Sequence, residues 1–135
     1  MYNNLGQENL SDLAKRTIIE LEKMPQPIVR VCGPLTTGGF GYEDNAKRLE
    51  KAEDILEAKG MTVFRFGDSE KEIQGQNYSH ADIMDYFHKP VLASGLITKT
   101  YFLSDWDKSK GATIERDLAL EYKIEIEEFP EEWFN

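Results

Sequence analysis

The sequence predicts a small doubly wound α/β domain, a Rossmann- or flavodoxin-like parallel sheet of about four to five strands with flanking helices. Three observations lead there. Short β-branched runs alternate with segments of helical period, the pattern of βαβ units. Glycine or proline closes most of the runs. The chain has 135 residues, 40% of them hydrophobic and 11% aromatic. That suits one domain whose core removes roughly two-thirds of the unfolded surface from water.

Each element has its own signal. Leu10, Leu13, Ala14, Ile18, Leu21 and Met24 recur at three- and four-residue spacing, so residues 10–24 read as an amphipathic helix. Ser11 is its candidate cap, and Pro25 and Pro27 stop it. Residues 1–27 thus precede the first strand as an extension, for the body of the domain or for a second subunit. Ile28-Val29-Arg30-Val31-Cys32 is a short strand ended by Gly33-Pro34. The loop Leu35-Thr36-Thr37-Gly38-Gly39-Phe40-Gly41-Tyr42 is uncharged and glycine-rich. A helix over about 44–59 carries Ala46, Leu49, Ala52, Ile55 and Leu56 on one face, with Gly60 as its stop. Residues 61–66 read as the second strand, ended by Gly67-Asp68, and 69–78 as a polar loop. Ser79 caps a helix over about 80–89, which Pro90 bends or ends. Residues 96–103 form the third strand and 104–108 a turn. Ser109-Lys110-Gly111 opens a helix to Tyr122, striped by Ile114, Leu118 and Tyr122. Ile124 and Ile126 mark a fourth strand. The domain is therefore residues 28–126, and 127–135 form an acidic, aromatic tail.

Composition excludes several classes of function. The formal net charge is -9, from 25 acidic residues against 16 Lys and Arg. Nucleic-acid polymers and anionic membranes need clustered basic residues, so neither is an expected partner. The acidity is uneven: residues 121–135 hold six Glu against one Lys, a net of -5, which leaves -4 for residues 1–120. A small anion is thus still an admissible ligand. One cysteine, Cys32, rules out an intramolecular disulfide and a multi-cysteine zinc site. No signal peptide or membrane span is legible, and cytoplasm is the expected compartment.

In doubly wound folds ligands bind at the carboxyl ends of the strands. Three segments converge on that edge: 33–42, 66–68 and 104–115. The first has the form of a sugar or phosphate loop, although Glu43 and Asp44 at the next helix start would repel a phosphate. In the last, Ser109 can cap the helix, Gly111 and Ala112 leave room beside its first turn, and Glu115 sits one turn inside. A glutamate there is either a routine partner of the helix dipole or a carboxylate aimed at a ligand. Other candidates are weaker. Trp106 could stack on a base or simply cover the core. Cys32 reads as a small buried residue rather than a nucleophile. His80 and His88 have no metal-ligand spacing around them, and no metal is expected.

The runs CGPLTTGG, then Asn45, LEKAEDILEAKGMTVF and YFLSDWDKSKGATIERDLAL resemble the nucleoside 2-deoxyribosyltransferase-like superfamily over about residues 28–126. The likeness is closest to a small branch with a G-P motif after the first strand and a W-x-x-S-x-G-A-x-x-E segment after the third. It implies a doubly wound fold and chemistry at the N-glycosidic bond of a nucleoside or nucleotide, by transfer or by hydrolysis. It implies that Glu115 is the nucleophile, and that no metal or organic cofactor takes part. Gly33, Pro34, Gly38, Gly39, Tyr42, Trp106, Ser109 and Gly111 would form the sugar, base or phosphate pocket, with Ser109 the candidate for a 5′-phosphate. An acid partner is also implied, and Asp82 and Asp85 both fit its helix. The chain departs from the pattern at two places. Arg30 stands near a first-strand tyrosine, and Thr98 stands near an aspartate at the third strand. These departures favour an alternative, a binding module that keeps the pocket without turnover. The superfamily's shared sites, the extra helix and the exposed-looking Trp133-Phe134 imply a homo-oligomer, dimer or higher.

Overall fold

The computed structural model describes residues 5–35, 40–73, 76 and 78–135. Four parallel strands form one sheet: β1 (Ile28–Cys32), β2 (Thr62–Val63), β3 (Ile97–Phe102) and β4 (Glu125–Glu128), in the order β2-β1-β3-β4. Helices α1 (Leu5–Glu22), α2 (Tyr42–Ala58), α3 (Phe66–Ile73), α4 (His80–Ile83), α5 (Lys89–Ala93) and α6 (Lys110–Glu121) connect or precede them. A π-helical segment, Met84–His88, joins α4 to α5.

The pleat sorts β1 between two cores. Val29 and Val31 face α2 and pack with Ala52, Leu56, Val63, Tyr101, Leu103 and Phe129. Ile28 faces the other layer, with residues of α1, α3, α5 and α6. Helices therefore cover both faces, the arrangement that a parallel sheet needs. After β1 the chain crosses to β2 on one side and then to β3 on the other. The chain therefore reverses between β1 and β3, the point at which doubly wound sheets open a crevice at their strand ends. The approach there is close: a Cβ on Gly33, the residue after β1, would sit 2.8 Å from Leu103 Cδ1, so any side chain there would force Leu103 to move.

Several boundaries differ from the sequence reading, each for a physical reason. The first helix begins at Leu5, so Ser11 lies inside it and is not its cap. Leu10, Leu13, Ala14 and Leu21 are buried in the main core, which makes the helix part of the domain. The second strand is only Thr62–Val63, and Phe66, the last residue of the expected strand, already starts α3, which runs to Ile73 into the expected loop. Its inward face holds Phe66, Ser69 and Ile73, too few positions to display a period. Pro90 does not end its helix. The Lys89 N–H donates to the Met84 carbonyl five residues back, and the π turn carries the chain past a residue that has no N–H to give. On α6, Ile114 is exposed, and the buried stripe is Ala112, Leu118 and Ala119.

The tail folds back onto the sheet. Phe129 is 2% exposed, its ring edge-on to Tyr101 and Trp133, and Trp133 and Phe134 pack against the α2-side core. The extra helix and the aromatic C-terminus are thus both covered within one chain. No helix among the described residues is long and apolar enough to cross a membrane.

Removing the Phe129 ring opens a cavity between sheet and tail, and F129A is expected to cost ~3–5 kcal/mol in chemical denaturation. A loss under about 1 kcal/mol, the range of surface substitutions, would contradict the tail as a layer of the core.

Candidate functional site

The site lies where β1, the π segment and α6 meet. Arg30 shares the Ile28 side of β1 and is 3% exposed. Its guanidinium lies 5.8 Å from the centroid of the Phe64 ring, and Nη2 donates to Glu115 Oε1 at 2.5 Å. Glu115 reaches it because Ser109 starts α6 at the crevice: the Ser109 hydroxyl accepts from the Ala112 N–H at 3.2 Å. One turn on, Glu115 falls on the same side of the helix as buried Ala112, Leu118 and Ala119, and so turns towards the sheet. His88 closes the cluster. It is buried, its ring 4.6 Å from Phe66 and 5.2 Å from Phe87, with Nδ1 3.7 Å from Glu115 Oε1.

Burial governs the electrostatics. It pushes the Glu115 carboxyl up, but the Arg30 charge and its hydrogen bond outweigh burial and hold the group below the usual carboxylate range. Burial drives the His88 imidazole down to about 4, against the pull of Glu115. His88 is therefore neutral near pH 7, and Arg30 is the main counter-charge of Glu115. Burial also raises the Cys32 thiol, against the Arg30 charge, which keeps it protonated and inert as a nucleophile. The cluster is an ionised carboxylate locked to one cation beside a neutral imidazole. A carboxylate so placed can stabilise or close on a developing positive charge.

The other sequence-derived site residues divide. Gly33 and buried Pro34 sit at the end of β1, on the crevice. Gly111 begins α6, and a Cβ there would meet only His80 Cε1 at 3.8 Å and Ser109 Oγ at 3.9 Å, ordinary contacts. Tyr42 opens α2 and is exposed. Gly38 and Gly39 lie outside the described residues. Ser109 is 4% exposed, and its hydroxyl oxygen caps α6 by accepting from the Ala112 N–H. Trp106 packs 6.0 Å from Phe102, and the Arg116 guanidinium lies 4.2 Å over its ring, so one face is already taken. Asp85 is exposed and pairs with Lys89 at 3.0 Å, and Asp82 follows the Ser79 cap of α4. Neither is within ion-pair or hydrogen-bond reach of a described cluster residue. Thr98 belongs to the amino end of β3, where its hydroxyl donates to the Ile28 carbonyl at 3.4 Å, away from the crevice.

Three further residues matter to which the sequence assigns no role in the site. Arg30 was visible as one charge inside an otherwise apolar five-residue strand, a placement that demands a buried partner. His88 gave no local signal. Asn45, 1% exposed, clamps the first loop: its Oδ1 accepts from the Phe40 N–H and its Nδ2 donates to the Leu35 carbonyl, both at 3.0 Å. Among the described residues no group of three or more His, Cys, Asp or Glu could hold a metal ion.

Residues 28–128 match the model of a family described as a domain of unknown function, DUF4406. The chain belongs to the DUF4406 family. The matched span runs from the first residue of β1 to the last of β4, so the DUF4406 domain contains the whole sheet and all three members of the cluster. Helix α1 and the folded-back tail lie outside it and complete its two cores. No curated protein and no solved structure matches the chain.

A neutral buried His88 predicts a pH signature. Its folded value lies below the ordinary 6.5, so between 6.5 and about 4 the unfolded chain binds more protons. The stability present above pH 6.5 is lost as pH falls through that window. Glu53, raised by burial to about 7 against the charges of Arg65 and Arg30, acts oppositely and loses stability as pH rises from 4.5. Comparison with H88Q isolates the histidine: the wild-type advantage should shrink by roughly 2 kcal/mol or more between pH 7 and pH 4 in urea denaturation. Parallel curves would contradict a buried neutral imidazole.

Proposed function

We propose that this DUF4406 protein acts at the N-glycosidic bond of a nucleoside or nucleotide, with Glu115 as nucleophile. The observation that carries the reading is an ionised, part-buried carboxylate at the topological switch point, one turn inside the helix that borders the strand ends. In the reaction the bond from C1′ to the base nitrogen breaks, and its electron pair leaves with the base, which takes up a proton. A Glu115 oxygen closes on the oxocarbenium-like carbon to form a glycosyl ester. Water, or a second base, then attacks C1′ and returns the carboxylate. Water makes the protein a hydrolase and a second base makes it a 2-deoxyribosyltransferase. Gly33, Pro34 and Gly111 border the sugar, and the proton of the leaving base comes from solvent or from one of Asp82 and Asp85.

One observation favours a second reading. The Arg30 contact at 2.5 Å already occupies Glu115, and a carboxylate so paired is a poorer nucleophile than a free one. A nucleotide-binding module without turnover would keep this arrangement. The two readings separate in one assay: incubate the protein with 2′-deoxynucleosides and their 5′-monophosphates and measure free base. Turnover that falls at least about a hundredfold in E115Q supports the nucleophile. Turnover retained in E115Q contradicts it, and ligand binding with no base release in the wild type selects the module.

A further inference from the structure

We propose that Arg30 makes this site select a ligand that carries its own negative charge, a phosphomonoester-bearing nucleotide rather than a neutral nucleoside. The inference rests on Glu115 as the group that meets the ligand. Two observations carry it.

The first is an excess of donors. Arg30 has five N–H groups, and its Nε is buried with no hydrogen-bond partner among the described residues. The Nδ1 of His88 is buried and equally unpartnered, and it is a second idle donor in the tautomer that places the proton there. Glu115 Oε1 lies 2.5 Å from Arg30 Nη2 and 3.7 Å from His88 Nδ1. Buried polar nitrogens are rarely left in this state, so the cluster is matched to a ligand that brings acceptor oxygens.

The second is charge balance. Arg30 and Glu115 cancel, and His88 and Cys32 are neutral, so the buried cluster carries no net charge. When Glu115 bonds to C1′ its charge disappears, while the base leaves with the electron pair and takes a proton from water. The cluster then holds one buried guanidinium whose ion-pair partner is gone, a state that proteins strongly disfavour. An anionic group on the ligand restores the balance and satisfies the idle Nε. Ser109 carries no charge with which to balance an anion, and Lys108 and Lys110 stand exposed outside the cluster.

The test is ligand-dependent thermal stability, measured on the wild type, E115Q and R30Q/E115Q. The probes are a 2′-deoxynucleoside, its 5′-monophosphate and inorganic phosphate. The double variant keeps the cluster neutral and close in volume, and so avoids an unpaired buried carboxylate. The expected result is that E115Q, with Arg30 left without its counter-charge, binds the monophosphate at least about tenfold more tightly than the wild type. The nucleoside shows no such gain, and R30Q/E115Q loses the preference for the monophosphate. A preference that survives in R30Q/E115Q overturns the proposal, because the anion is then held elsewhere. Inorganic phosphate that reproduces the whole effect overturns it too, because nothing of the nucleotide is then selected. Base release enters none of these readings. A wild type that binds the monophosphate through Arg30 without cleaving it refutes the proposed reaction and leaves this inference standing.

Discussion

The structure turns on one buried contact, the guanidinium of Arg30 against the carboxylate of Glu115 at 2.5 Å. A cation in the middle of a parallel strand is tolerable only if its charge is met on the spot. Glu115 meets it from α6, so the pair ties the first strand to the last helix across the sheet face. The orientation of that helix follows, with Ser109 at the crevice and Leu118 and Ala119 in the core. The protonation states follow as well. Low local polarity forces His88 neutral and the Cys32 thiol to keep its proton, and only the paired groups are charged. The arrangement is neutral at rest and unbalanced once Glu115 is consumed, which links the ion pair to the choice of ligand.

The rest of the fold holds this contact in place. The β2-β1-β3-β4 order puts β1 and β3 side by side at the chain reversal, where Gly33 packs on Leu103. The crevice is braced from outside. Arg48 of α2 reaches Asp105 after β3 at 2.6 Å and Glu131 of the tail at 3.1 Å, and Ser104 also bonds Glu131. The acidic tail therefore has a structural use: its aromatics seal the α2-side core, and one of its carboxylates anchors the loop that leads to α6.

The elements that were legible in the sequence are those whose period is long enough to repeat. Helix α2 and the β1 and β3 runs display their pattern over many residues, and the parallel sheet follows from their alternation. The hidden elements are short or compensated. Helix α3 shows one inward turn, and the helix around Pro90 survives through a π turn that no residue type announces. The same divide applies to the site. Glu115 could be found because a motif surrounds it, and Ser109 because capping is a local interaction. Arg30 showed that it needed a partner without showing which one, and His88 showed nothing. Those contacts join residues far apart in the chain, and only the three-dimensional packing names them.

The central claim is that Arg30 reverses the effect of burial on Glu115. Carbon-13 NMR titration of the Glu115 carboxyl, in the wild type and in R30Q, tests it most directly. In the wild type the group should ionise below the ordinary 4.5, and in R30Q, with the guanidinium gone and the burial kept, above it. A wild-type midpoint at or above 4.5, or one that R30Q leaves in place, would contradict the account.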